Sequence, residues 1–336
     1  MKRFLVVLLA MAMLVSISTA AWAAQVKDPK DMTIYFITKV IGNAYWSVVE
    51  QGAKDAAADL GLKNLVVTGV PSEADVEKQI ELLQNAVSAK ADAICLGPVD
   101  STAMAGDVSA AFKTGIPIII VDTMINTDDY TMVLITDNVA AGRTAAEKML
   151  KLLKESGLAE DKAAQVAIQV GSIGSQTILD RLKGFNEHWA QHAPKAWVVL
   201  NNDVKVNDGD ISKAVGFAQD FLTTYPNLKA VFGPNNGSTV GFVIGLKEAN
   251  RTDIAMIGFD FSKEIESMIR EGNFTVATVV QMQYRMGYDG VVEGVKAAQG
   301  IAPKEKYVDT GVFLVDKNNI DEPQFEKVIY PTGKPK

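Results

Sequence analysis

Short, almost wholly apolar runs recur along the chain, each followed by a longer stretch with helical spacing. They cover residues 34–37, 65–68, 93–96, 117–121, 166–170, 230–232, 254–259 and 275–280. A strand with one face in water alternates polar and apolar residues, whereas a run that is apolar throughout is covered on both faces, as in parallel sheets coated by crossover helices. The intervening stretches 73–89, 139–156, 176–192 and 211–225 carry the matching helix patterns. Repeated strand–helix alternation with right-handed crossovers builds a doubly wound α/β fold. The 336 residues, 48% hydrophobic and 22% charged, suffice for about two such domains. No low-complexity linker divides them, so domains joined by several ordinary crossings fit better than two units in tandem.

The first residues read as a targeting segment. Lys2 and Arg3 precede the apolar residues 4–17, and Ala21, Trp22 and Ala23 supply a small-residue cleavage pattern, so residues 1–23 are predicted to be a secretory signal. The one cysteine, Cys95, lies inside an apolar run, where it reads as a small core residue. It is not at the cleavage site, where a lipid would be attached. Free release into the periplasm is therefore expected. Without the signal the chain carries 31 basic and 40 acidic residues, net −9. That balance speaks against nucleic acid or anionic lipid as a partner.

In open α/β sheets ligands sit beyond the carboxyl ends of the strands. Those ends present Lys39 and "NAYW" (residues 43–46), Asp122, "GSIGSQT" (171–177), "GPNNG" (233–237), Asp260 and Gln281. Most are planar amides or carboxylates that can hydrogen-bond in two directions, or glycines that let a ligand approach. A sugar offers hydroxyls that both donate and accept, and an apolar C–H face, so such groups beside the Tyr45 and Trp46 rings answer both of its surfaces.

These residues resemble the type I periplasmic sugar-binding proteins, the family of ribose-binding protein. The similarity runs from Thr33 to about Val315. It implies two doubly wound parallel-sheet lobes joined by three hinge crossings, with residues 24–136 and 282–309 in the N-terminal lobe and 137–281 and 310–336 in the C-terminal lobe. "GNAYW" is similar to an Asn-Pro-aromatic-aromatic segment of the family, with Ala44 in place of proline, and so places Asn43, Tyr45 and Trp46 in the cleft. "IPIIIVDT" resembles the stretch whose aspartate grips sugar hydroxyls, Asp122 here, followed by Thr123 where ribose binders carry arginine. "GSIGSQTILDRLKGF" points to Arg181. "VFGPNNG" points to Asn235, with Asn236 departing from the usual aspartate, and "IGFD" and Gln281 complete the set.

Where the family has a second aromatic wall, "VKVNDGD" (204–210) has no ring, so Asn207 or Asp208 is expected to face the ligand. "FITKVIG" is more similar to the opening of proteins for deoxysugars, polyols and a furanose quorum signal, which adds Lys39 as a ligand candidate. The resemblance implies a solute-binding protein, a monomer and not an enzyme, without a cofactor. It would close on a small sugar or polyol and deliver it to the membrane permease of an ABC transporter. A receptor for the furanose signal, or a sensor coupled to a chemoreceptor, is the alternative. A dinucleotide enzyme would need G-x-G-x-x-G after the first strand, which "TKVIGNAYW" does not supply. His188 and His192 have metal-ligand spacing but no evident third ligand, and read as a surface pair.

Overall fold

The computed structural model describes residues 26–329, so the segment read as a secretory signal lies outside the described residues. Thirteen strands are described: β1 (Thr33–Val40), β2 (Asn64–Val70), β3 (Ala93–Leu96), β4 (Ile118–Val121), β5 (Met132–Ile135), β6 (Ala164–Val170), β7 (Trp197–Val199), β8 (Lys205–Val206), β9 (Leu228–Gly233), β10 (Ala255–Phe259), β11 (Val276–Gln281), β12 (Tyr307–Asp309) and β13 (Val312–Asp316). Each of the eight apolar runs is among them. They form two sheets, one ordered β12-β5-β4-β3-β1-β2 and the other β13-β11-β10-β9-β6-β7, with β8 also paired to β6. All pairings are parallel except that of β11 with β13.

The two sheets make two α/β lobes. Strands β3, β4, β10 and β11 are buried at every position. This is the consequence of helices on both faces. In the first lobe, helices Ala44–Asp59 and Gln283–Ala298 cover one face and Val76–Ser88 and Ala105–Lys113 the other. In the second, Asn138–Glu155 and Gln176–His192 cover one face, and Ile211–Thr224, Asn236–Glu248 and Lys263–Glu271 the other.

One helix pair in each lobe approaches through glycine. A Cβ on Gly287 would stand 1.9 Å from the Val49 carbonyl oxygen, and one on Gly52 2.1 Å from that of Tyr284. In the other lobe the same holds for Gly184 against Val139 (1.9 Å) and Gly142 against Arg181 (2.1 Å). No side chain can occupy such a contact, so these positions fix how deeply each helix pair nests.

The chain passes between the sheets three times, after β5, after β11 and after β12. The crossings are tied to one another: Thr136 Oγ1 donates to Gln281 Oε1 (3.0 Å), the Asp137 amide to Asp309 Oδ1 (3.0 Å), and the Thr310 amide to the Ile135 carbonyl (2.7 Å). No described helix is long and apolar enough to cross a membrane.

Candidate binding cleft between the lobes

Asn43 begins the first helix. Its Oδ1 accepts from the amides of Tyr45 (2.9 Å) and Trp46 (3.4 Å), satisfying donors that a helix start leaves unpaired. Beyond the cap, Tyr45 reaches Asp122 after β4 and Trp46 packs against Gly97 after β3. Both rings belong to the core of the first lobe and also line the cavity between the lobes. They meet edge to face, 5.2 Å apart at 86°. Gly97 makes room for Trp46, since a Cβ there would lie 2.5 Å from the ring. The two rings thus belong to the core and to the cavity lining at once.

Asp122 follows β4 with a φ of 68°, a left-handed conformation that aspartate tolerates better than most residues. Its carboxylate accepts from Tyr45 Oη (2.7 Å) and Thr123 Oγ1 (2.7 Å), and Lys39 Nζ stands 3.3 Å away. Burial pushes this carboxyl up, but Lys39, Arg181, Tyr45 and Thr123 together outweigh it and hold Asp122 below the usual carboxylate range. The Tyr45 phenol is driven well above its ordinary value by burial and by Asp122.

Asp260 occupies the corresponding place after β10, with a φ of 69°. Gln281 Nε2 donates to it at 2.8 Å. Burial pushes its carboxyl up to about 6, against the pull of Arg181 and Gln281. Arg181 is buried, donating from Nε to Asn138 Oδ1 (2.9 Å) and from Nη1 to the Pro234 carbonyl (2.7 Å), with its guanidinium 4.1 Å from the centre of the Phe259 ring. Its Nη2 and the Nδ2 of Asn236 are buried donors with no hydrogen-bond partner.

Asn43, Tyr45, Trp46, Asp122, Arg181, Asn235, Asp260 and Gln281 line one cavity, together with Glu73, Thr177, Ile178 and Asn236. The cavity is about 30 Å³, close to the space of a single water. The lobes touch around it: Asn43 Nδ2 donates to Asn236 Oδ1 (3.2 Å), Thr177 Oγ1 to the Asp122 carbonyl (2.9 Å), and the Ser101 amide to the Gly174 carbonyl (2.9 Å).

Three expected ligand residues stand outside the lining. Lys39 is buried behind Asp122, its ammonium donating to Thr123 Oγ1 (2.6 Å) and Ser175 Oγ (3.3 Å), because a buried cation must spend its protons on nearby acceptors. Asn207 donates to Ser238 Oγ (2.8 Å) and accepts from the Gly209 amide (3.1 Å), so its polar atoms hold a turn. The Asp208 carboxylate pairs with Lys213 (2.6 Å). Among the described residues that line the cavity the second lobe contributes no ring; it contributes Ile178 and the Asn235–Asn236 pair.

Glu73 was not anticipated, and Thr177 only as the last residue of "GSIGSQT". Glu73 follows the end of β2, so the strand-end rule reaches it once β2 is treated like the other strands, while Thr177 stands in the stretch already named after β6. His188 and His192 stack at 4.1 Å, and no group that could hold a metal ion is found among the described residues.

Residues 34–302 match the family described as "Periplasmic binding protein domain". The chain is 27% identical over 307 residues to the ribose import binding protein of Salmonella typhimurium, covering 91% of this chain and 96% of the relative. It is 28% identical over 312 residues to the D-apiose import binding protein of Actinobacillus succinogenes, covering 92% and 95%. Among solved structures, a carbohydrate transporter solute binding protein from Agrobacterium radiobacter in complex with D-arabinose superposes with a TM-score of 0.83 at 30% identity, covering 89% of this chain and 98% of that one. An ABC transporter solute binding protein from Agrobacterium vitis with bound D-fucose gives 0.81 at 29% identity, covering 89% and 100%.

Proposed function

The chain belongs to the periplasmic binding protein domain family, and from that premise we propose that it captures one small sugar or polyol in the cleft and hands it to the permease of an ABC transporter. It is a sugar-binding protein of ABC transport, and its relatives are transport proteins and not enzymes. The proposal concerns the ligand, the residues that hold it and the handover.

The observation that carries it is the mismatch of donors and acceptors in a closed cleft. Arg181 Nη2 and Asn236 Nδ2 are buried without partners beside the Asp122 and Asp260 carboxylates, and all four residues line the same cavity. Leaving buried polar groups unpaired costs about 1–3 kcal/mol each. Hydroxyls that donate and accept at once relieve both kinds of group, and the Trp46 face receives the C–H surface. A cavity of about 30 Å³ admits nothing of sugar size while the lobes are closed. Ligand entry therefore requires the lobes to part about the crossings near 136–137, 281–282 and 309–310, which we take as the lobe boundaries. Closure around a ligand then shifts the population only because contacts are made on both lobes. Residues 1–23 direct the protein to the periplasm in this reading.

A thermal-shift screen of pentoses, hexoses, deoxysugars, polyols and furanosyl signals tests it. A ligand at 100 times its dissociation constant adds about 2.7 kcal/mol of stability. Stabilisation by nucleobases or amino acids and by no polyol overturns the reading. Trp46→Ala is expected to cost about 3–5 kcal/mol of stability, because the ring is core, and also to weaken the ligand by about 1–3 kcal/mol. Calorimetric titration of the folded variant reads the second effect.

A further inference from the structure

We infer that Glu73 is a specificity residue of this cleft, put in place by lobe closure to accept hydrogen bonds from a pair of ligand hydroxyls. The inference rests on the sugar or polyol reading above.

Glu73 lies in the loop between β2 and helix Val76–Ser88 and lines the cavity from the first lobe. Its position is fixed by the other lobe. The Glu73 amide donates to the Asp208 carbonyl (3.1 Å), and Ser72 Oγ donates to that same oxygen (3.1 Å). Asp208 presents its carbonyl from a turn in which Asp208 and Gly209 both have left-handed backbone, φ 56° and 78°, and in which the Gly209 amide is held by Asn207. This turn stands where a second ring was sought. In place of an aromatic wall it grips the loop that carries a carboxylate.

The side chain reaches across the cleft into a space that glycine keeps open. A Cβ on Gly171 would lie 2.6 Å from Glu73 Oε2 and 2.8 Å from Asn235 Nδ2. The carboxylate makes no hydrogen bond or direct ion pair among the described residues. The other two carboxylates of the lining are engaged, Asp122 by Tyr45, Thr123 and Lys39, and Asp260 by Gln281. Glu73 alone brings two oxygens whose bonding capacity is unspent, and burial pushes its carboxyl above the ordinary value. A vicinal diol supplies two donors at the spacing of one carboxylate, and hydrogen bonds to a charged acceptor are stronger than neutral ones. The cross-cleft contacts of Ser72 and the Glu73 amide exist only with the lobes together, so the recognition is completed on closure.

Calorimetric titration with D-arabinose, D-fucose, D-ribose and ribitol tests this on wild type, Glu73→Gln and Ser72→Ala. Glu73→Gln keeps the volume and is expected to melt within a degree or so of wild type without ligand, while binding the best probe about ten- to a hundredfold more weakly. Removing single hydroxyls from that probe then costs wild type more than it costs Glu73→Gln at the one or two positions Glu73 reads. Ser72→Ala is expected to weaken binding mainly through faster dissociation. Unchanged affinity of Glu73→Gln, with wild type binding normally, overturns the inference and leaves the polyol reading standing. If none of the four probes binds wild type at millimolar concentration, that reading falls and the inference with it.

Discussion

Asp122 and Asp260 stand at equivalent places in the two lobes. Each follows a fully buried parallel strand, each has a φ near 70°, and each points into the same cavity. Their surroundings differ. Asp122 has a buried ammonium 3.3 Å away and two hydroxyl donors, and is held below the usual carboxylate range despite burial. Asp260 has an amide donor and no ammonium at that range, and burial lifts it to about 6. One backbone device thus carries a fixed charge in one lobe and a titrating group in the other. The first lobe carries a carboxylate held below its ordinary value, and the second one that burial raises to about 6.

The largest effect should come from removing the cations. Lys39→Met leaves Asp122 as an uncompensated buried charge and is expected to cost about 5 kcal/mol at pH 7, at the upper end for breaking a buried pair. Arg181→Met is expected to cost about 3 kcal/mol, since Asp260, already raised to about 6, can escape by taking up a proton once the guanidinium is gone. Urea denaturation of both variants reads the difference, and equal losses break the comparison.

The glycine contacts sharpen it from another side. Gly287→Ala and Gly142→Ala each drive a methyl into a carbonyl oxygen, at 1.9 and 2.1 Å. Each should cost about 1–3 kcal/mol by overpacking. Similar losses show that the lobes are alike in packing and differ only in the charge of the cleft.

The most gradual effect is that of pH, at most about 1.4 kcal/mol per pH unit for one proton. Asp260 has a folded value of about 6 against an ordinary 3.8, so the native state holds the extra proton between them. Its contribution is full below about pH 4 and is lost as pH rises to about 6. Asp122 has the opposite sign: its contribution is present above the ordinary carboxylate value and is lost as pH falls through its depressed one. Melting temperatures from pH 3 to 7 should therefore show Asp260→Asn removing a decline with rising pH, and Asp122→Asn losing most at the neutral end. Parallel curves for the two variants contradict the assignment.

The fold was legible because the strands that matter are apolar on both faces, a pattern that few other structures produce. Strands β5, β7, β8, β12 and β13 escaped it for physical reasons. β7 and β12 are short and partly exposed, β8 spans two residues, and β13 is an antiparallel strand at a sheet edge. "MVLI" of β5 is fully apolar but only four residues long, too short to separate from a buried turn by periodicity. In the cleft, residues at strand ends could be found because topology alone brings them together. Lys39 could not be separated from a ligand contact, since only three-dimensional proximity shows that Thr123 and Ser175 consume its protons. The same holds for Asn207, whose partners Ser238 and the Gly209 amide only the fold brings to it, and Glu73 was hidden by a loop whose position is decided by a turn 136 residues away in sequence.

The path of the chain between the lobes also sets an order of assembly. Tyr284 hydrogen-bonds Asp55 across 229 residues, whereas Arg181 reaches Asn138 across 43. A polypeptide emerging amino end first can dock Asn138–Glu155 against Gln176–His192 while synthesis continues, but one face of the first sheet is covered by Ala44–Asp59 alone until Gln283–Ala298 arrives. Contacts of long sequence separation form slowly, and an uncovered apolar sheet invites aggregation in the interval. The amino-terminal lobe, though begun first, waits for residues 283–309 to supply a covering helix and an edge strand, and a chain halted before residue 283 would carry a half-covered sheet.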